Sequence, residues 1–399
     1  MVFYSDKFTD KISAAMPSWP TAVQGQCYGN CPFIGALASV AWVNRNFIRK
    51  NITGPDALGK YTFNFWDYSK IDVIKLPKDP TNGIQLNPAD AYGNPAGTQV
   101  QVKVSPQVLQ DNNLLASDAN RISYGAGSAN TNDKITEIWP ALFERAYGKF
   151  CMYVNGLSLN SAPGQPLSLK DLMETTKDPL YSDLKNLTTV QWGGNAGMGL
   201  VHLTGLNCFA YSTTSAAFNA LGGLPAGATG GSLYNFIKAG FCSENVNVKG
   251  LNKTRYPLVA MTYASEDLSP AKKYDQNSNP NGIQYDSTTI VANHCYPVLG
   301  TFDSTDGKHY IVFRTTFGLM DPARDFPVNN FLKLAQTPDS TWKYNDAQFK
   351  FGTIAQYPTS AAVRISLSLD LAISGDAIFG LEEGSFKNYF SMISWAQGY

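Results

Sequence analysis

Apolar residues run almost unbroken from Phe33 to Val43 (FIGALASVAWV), the strongest pattern in the chain. Asn30 is a good N-cap and Pro32 suits a first turn, so the run predicts a helix opening near Asn30. A helix that is apolar nearly all round offers no face to water, which predicts a central, buried position. The run is too short to cross a bilayer, which takes about 20 residues, so no transmembrane segment is expected. Tyr61–Trp66 (YTFNFW) and Val100–Val104 (VQVKV) alternate as strands do. Lys75–Thr98 between them is rich in Pro, Asn and Gly, predicting a loop-rich surface insert. Ile135–Lys149 carries apolar residues at helical spacing, with Pro140 opening or kinking the helix.

Leu221–Ser232 (LGGLPAGATGGS) is the most linker-like stretch. It divides the chain into a helix-rich first lobe, 1–228, and a strand-rich second lobe, 229–399. In the second lobe the pattern predicts a short helix over Leu233–Ala239 and strands over Pro257–Thr262, His294–Phe302 and His309–Arg314. Asp303–Lys308 reads as the hairpin turn between the last two strands. Amphipathic spacing predicts two further helices, Asn329–Leu334 and Ser385–Ile393. The expected fold class is α+β.

Composition narrows the function classes. Of 399 residues, 44% are hydrophobic, enough to exclude a disordered chain. Lys and Arg total 31 and Asp and Glu total 31, so nothing electrostatic favours nucleic acid or an anionic membrane as a partner. Asp6, Lys7, Asp10 and Lys11 interrupt the N-terminal stretch where a signal peptide needs an apolar core, so a cytoplasmic protein is expected. The six cysteines are too sparse for a disulfide framework, and reduced thiols are the default.

The candidate chemistry is a cysteine and a histidine. Cys31 falls in the first turn of the predicted buried helix, where the helix dipole stabilises a thiolate. Gln24 and Gln26 lie one loop upstream, and either side-chain amide is able to donate to an oxyanion near the sulfur. A base must come from His202, His294 or His309, the only three histidines. His294 opens a strand where it is able to face a cleft, and it is the chosen base. His309 opens the paired strand at the far end of the ladder, and His202, in GLVHLTG, is expected to pack within the first lobe. The other five cysteines read as packing residues.

Taken in order, GNCPFIGALASVAWVN, IWPALFERAYGKF, WGGNAGMGLVHLTG, ANHCYPVLGTF and IVFRTTFG resemble the protease core of calpains. The helix over Trp139–Lys149 is the most specific piece, and the five span most of the chain from Gly29 to Gly318. The resemblance implies a papain-like fold of two lobes with a substrate cleft between them, and a cysteine endopeptidase acting on proteins or peptides. It makes Cys31 the nucleophile and His294 the base, with Gln26 or Gln24 serving the oxyanion hole.

At the position of the asparagine that orients the family's histidine, this chain has Thr315, and Phe317 replaces a nearby tryptophan. A threonine hydroxyl lacks the reach and fixed plane of an amide. Thr316 and Asn293 are the neighbouring substitutes. Asn30 and Pro32 replace the residues that flank the family's nucleophile. These departures give the alternative expectation, a weak or inactive calpain-like scaffold used for binding or assembly. The family's acidic calcium-binding pair corresponds here to Val201 and His202, so calcium dependence does not carry over and no cofactor is expected.

Overall fold

The computed structural model of the chain describes residues 31–69, 78–79, 83–85, 96–105, 139–159, 164–179, 183, 196–212, 233–243, 251–263, 290, 292–303, 309–314, 316, 331–336, 342–344, 362–368, 378–383 and 386–397. They form a mixed α+β structure with two sheets. They fall into two compact units, one holding the described residues up to Cys208 except those within Lys78–Ile84, the other holding those within Lys78–Ile84 and Phe209–Gln397. Among the described residues, no helix is long and apolar enough to cross a membrane.

The first unit is built on helix α1, Cys31–Val43. Apart from Ser39 its side chains are apolar in every direction, and all residues but Pro32 and Val43 are buried. Asn44 ends α1 and caps α2 (Arg45–Lys50), its side chain accepting from the Phe47 N–H at 3.1 Å. Strands β1 (Ile52–Thr53), β2 (Tyr61–Asp67) and β5 (Thr98–Val104) pair antiparallel in the order β1-β2-β5. β2 alternates buried and half-buried residues as its sequence demands, turning Tyr61, Phe63 and Phe65 inward. Within the insert, β3 (Lys78–Asp79) and β4 (Gly83–Gln85) pair antiparallel, while most of Lys75–Thr98 lies outside the described residues.

Helix α3, Trp139–Val154, packs an aromatic layer against this sheet. Phe143 meets Phe63 edge-on at 4.7 Å, and Phe150 stacks with Phe65 at 5.1 Å. Pro140 sits in the first turn, where its missing N–H costs nothing, so it opens the helix. Helix α4, Ala196–Thr204, is closed by Gly205, whose φ of +64° a glycine adopts without strain.

Gly199 of α4 lies against the first turns of α1. A Cβ there would stand 2.8 Å from the Pro32 carbonyl oxygen and 2.9 Å from the Ala36 Cβ. Both obstacles are backbone or Cβ atoms that have nowhere to retreat. Gly199→Ala is therefore expected to lower stability by about 1–3 kcal/mol, read as a reduced urea midpoint. An unchanged midpoint would show that the two helices separate freely.

The second unit is a sheet with the strand order β12-β11-β13-β14-β10-β9-β8-β15-β6-β4-β3 and β7 beside β8. Its central strands are β8 (Leu251–Thr262), β9 (Cys295–Asp303), β10 (His309–Arg314) and β15 (Phe390–Gln397). They are flanked by β6 (Asn207–Ser212), β7 (Cys242–Ser243), β11 (Phe331–Gln336), β12 (Trp342–Tyr344), β13 (Ala362–Ser368) and β14 (Ile378–Glu382). All described pairings are antiparallel except β11 with β13. Alternate residues Leu258 and Ala260, Tyr296 and Val298, and Ile311 and Phe313 form the core, with Ile237 and Phe241 of helix α5 (Leu233–Phe241) joining them.

Two helices expected from amphipathic spacing are corrected. Asn329–Leu334 is not helical over its described part, because Phe331–Gln336 is β11, laddered to β12 and β13. Over its described part, Ser385–Ile393 contains a single turn of helix, α6 (Phe386–Tyr389), before the chain becomes β15 and pairs with β8. Short apolar segments fit both periods, and long-range strand pairing decides between them. The linker stretch over residues 221–232 lies outside the described residues.

Candidate active site

Cys31 is the first residue of α1, at the helix's positive end, and is 5% exposed. Phe33, two residues further on, stacks on Tyr147 of α3 at 3.8 Å with the rings 6° apart. This contact and the close approach of Gly199 anchor the start of the helix. The other described cysteines sit in ordinary packing positions. Burial pushes the Cys208 thiol up to about 12, against a small opposing effect of Thr204. Burial does the same to Cys242, whose sulfur lies 3.9 Å from the Thr301 hydroxyl. Both stay protonated at neutral pH, so neither is nucleophilic.

His294 stands immediately before β9 and is 4% exposed. Strand β8 holds its backbone on both sides. The His294 N–H donates to Thr262 Oγ1 at 2.9 Å, and the His294 carbonyl accepts from the Thr262 N–H at 2.9 Å and from its hydroxyl at 3.2 Å. The ring meets Tyr296 edge-on, and its Nε2 lies 2.7 Å from the hydroxyl of Thr316. Burial brings the imidazole down to about 3, so it is neutral at physiological pH. Asn293 supplies the turn into the strand, with φ of 52° and an exposed side chain.

The other two histidines have different surroundings. His202 lies on α4 within the core of the first unit, its Nδ1 3.0 Å from the Tyr147 hydroxyl and its ring edge-on to Phe150. Burial lowers it to about 4, outweighing the charge of Asp67. His309 is half exposed and stacks on Tyr234 at 4.5 Å, with Nδ1 2.7 Å from Oδ1 of Asp303. Asp303 also accepts from the Tyr234 hydroxyl and from Lys238. Burial alone would raise this carboxyl, but those hydrogen bonds hold it below its ordinary value. His309 pairs with Asp303 at the opposite end of the β9–β10 ladder from His294.

Gln24, Gln26 and Thr315 lie outside the described residues, as do Cys27 and Asn30. Val201 and His202 are both buried on α4. Among the described residues, no three His, Cys, Asp or Glu side chains converge to hold a metal ion. No protein-family model matches the chain, and no curated protein matches it.

Sequence reasoning chose His294 but did not find Thr262. Nothing local marks that threonine, since only the pairing of β8 with the start of β9 brings it to the histidine.

Proposed function

We propose that the protein is a calpain-like cysteine endopeptidase with a papain-like, two-lobed fold. Cys31 supplies the nucleophile and His294 the base. The thiol proton passes to His294 as Sγ attacks the scissile carbonyl carbon, and the histidine returns it to the leaving amine as the C–N bond breaks. Water then hydrolyses the thioester, releasing the acid product and restoring the thiol. Gln26 or Gln24, with the Cys31 backbone N–H, is assigned to the oxyanion.

The observation that carries this reading is the fixed placement of His294, its backbone held by Thr262 and its Nε2 engaged at 2.7 Å by the Thr316 hydroxyl. A base must be held in orientation before it accepts a proton. The placement of Cys31 as the first residue of a buried helix, and the α+β architecture, support the same assignment.

A second reading is a non-catalytic scaffold of the same fold, favoured by how deeply Cys31 and His294 are buried, at 5% and 4% exposure. An epoxysuccinyl inhibitor of papain-like proteases separates the two. The endopeptidase is expected to be alkylated at Cys31 at least about tenfold faster than at Cys208 or Cys242, with the difference lost in His294→Ala. Cys31→Ala is expected to fold and to show no peptidase activity. Equally slow alkylation of all six cysteines would leave only the scaffold.

A further inference from the structure

The surroundings of His294 define more than its burial. Thr262 bonds to both backbone polar groups of the residue, with its hydroxyl accepting from the N–H and donating to the carbonyl. This pins the Cα, so the remaining freedom of the ring lies in its side-chain torsions. Tyr296 closes one side of the ring at 5.1 Å and 81°. The orientation that results brings Nε2 to 2.7 Å from Oγ1 of Thr316, which is itself 0% exposed.

Of the two neutral tautomers, the one protonated at Nε2 is intrinsically favoured for a histidine side chain. The hydrogen bond made by one ring nitrogen selects the state of the other. We infer that Thr316 is the positioning residue of His294, its hydroxyl oxygen accepting the Nε2–H and so holding the ring in the tautomer whose basic nitrogen is Nδ1. The contact falls one residue beyond Thr315, the position that the calpain resemblance marks. A hydroxyl substitutes for an amide here because the clamp from Thr262 has already restricted the ring. The catalytic consequence, that Nδ1 is the atom that takes the thiol proton, rests on the endopeptidase reading, but the tautomer assignment does not.

The chain has only three histidines, so long-range 1H–15N spectra of the full-length protein labelled at histidine resolve each ring. At pH 7 the His294 ring is expected to show a protonated Nε2 and an unprotonated Nδ1. Thr316→Val is expected to shift this ring toward a tautomer mixture while the His202 and His309 signals stay in place, and Thr316→Ser to retain the wild-type pattern. A wild-type ring protonated at Nδ1 overturns the assignment, and this holds even if Thr316→Val fails to fold. An unchanged His294 pattern in folded Thr316→Val overturns it as well.

With peptidase activity present, Thr316→Val is expected to lower kcat by about tenfold or more, with KM little changed and the serine variant restoring the rate. A correct tautomer in a protein whose Cys31 is never selectively alkylated upholds the positioning role and defeats the endopeptidase reading. Selective alkylation with a tautomer indifferent to Thr316 does the reverse.

Discussion

Asp178→Ala is expected to destabilise the first unit by about 3–5 kcal/mol. Arg145 and Lys149 stand one turn apart on α3, and both side chains are fully buried. Asp178 faces both, with Oδ2 3.3 Å from Arg145 Nη2 and Oδ1 2.9 Å from Lys149 Nζ, and it also accepts from the Ser105 N–H at 2.8 Å. Lys149 directs further hydrogen bonds to the carbonyls of Lys103 and Glu174. The three groups thus tie the end of β5 and the segment carrying Asp178 onto the helix. Removing the carboxylate leaves two cations in the interior and an N–H without its acceptor, which costs far more than an intact surface pair contributes.

The loss should depend on pH. Burial lowers the Lys149 pKa, and Asp178 opposes that shift. Without Asp178 the lysine sheds its proton at a still lower pH. The unfolded chain then binds a proton that the folded variant does not, so the variant recovers stability as pH rises toward the unfolded lysine pKa. Urea denaturation of Asp178→Ala and of wild type at pH 7 and at pH 9, with hydrogen exchange of the α3 amides to localise the effect, checks both claims. A variant within about 1 kcal/mol of wild type at pH 7 would refute the role given to Asp178.

The second large effect is loss of stability in mild acid. His202 and His294 fall from an ordinary 6.5 to about 4 and about 3, in both cases chiefly through burial. Below pH 6.5 the unfolded chain takes up protons that the folded units refuse. The stability present above pH 6.5 is therefore lost as pH falls, down to about 4 for His202 and about 3 for His294. At pH 5 each histidine should remove about 2 kcal/mol from the unit that contains it. Hydrogen exchange at pH 7 and at pH 5, corrected for intrinsic rates, reads α4 for His202 and β9 for His294. Protection that does not weaken between these pH values would mean that the rings are protonated in the folded state, contrary to their burial. Carboxylates titrate mostly below this window, so the histidines dominate it.

Much of the architecture was legible from pattern alone. Alternation located β2 and β5, and the apolar run located α1 and the burial of nearly every residue on it. The chemistry on α3 was less visible. Its spacing announced a helix, but nothing in it showed that Arg145 and Lys149 would be interior and share one carboxylate from a distant segment. The misread segments β11 and β15 are short and apolar, and their local signal was too weak against the ladders that capture them.

Local sequence therefore determined what depends on near neighbours: the α+β class, the buried helix that carries Cys31 in its first turn, and the small set of histidines from which any base must come. Tertiary structure decided which groups meet. Thr262 and Thr316 reach His294 only because antiparallel strands set a register across long separations. Hydrogen-bond partners of buried polar groups are chosen by that register, and it belongs to the folded chain rather than to any stretch of sequence.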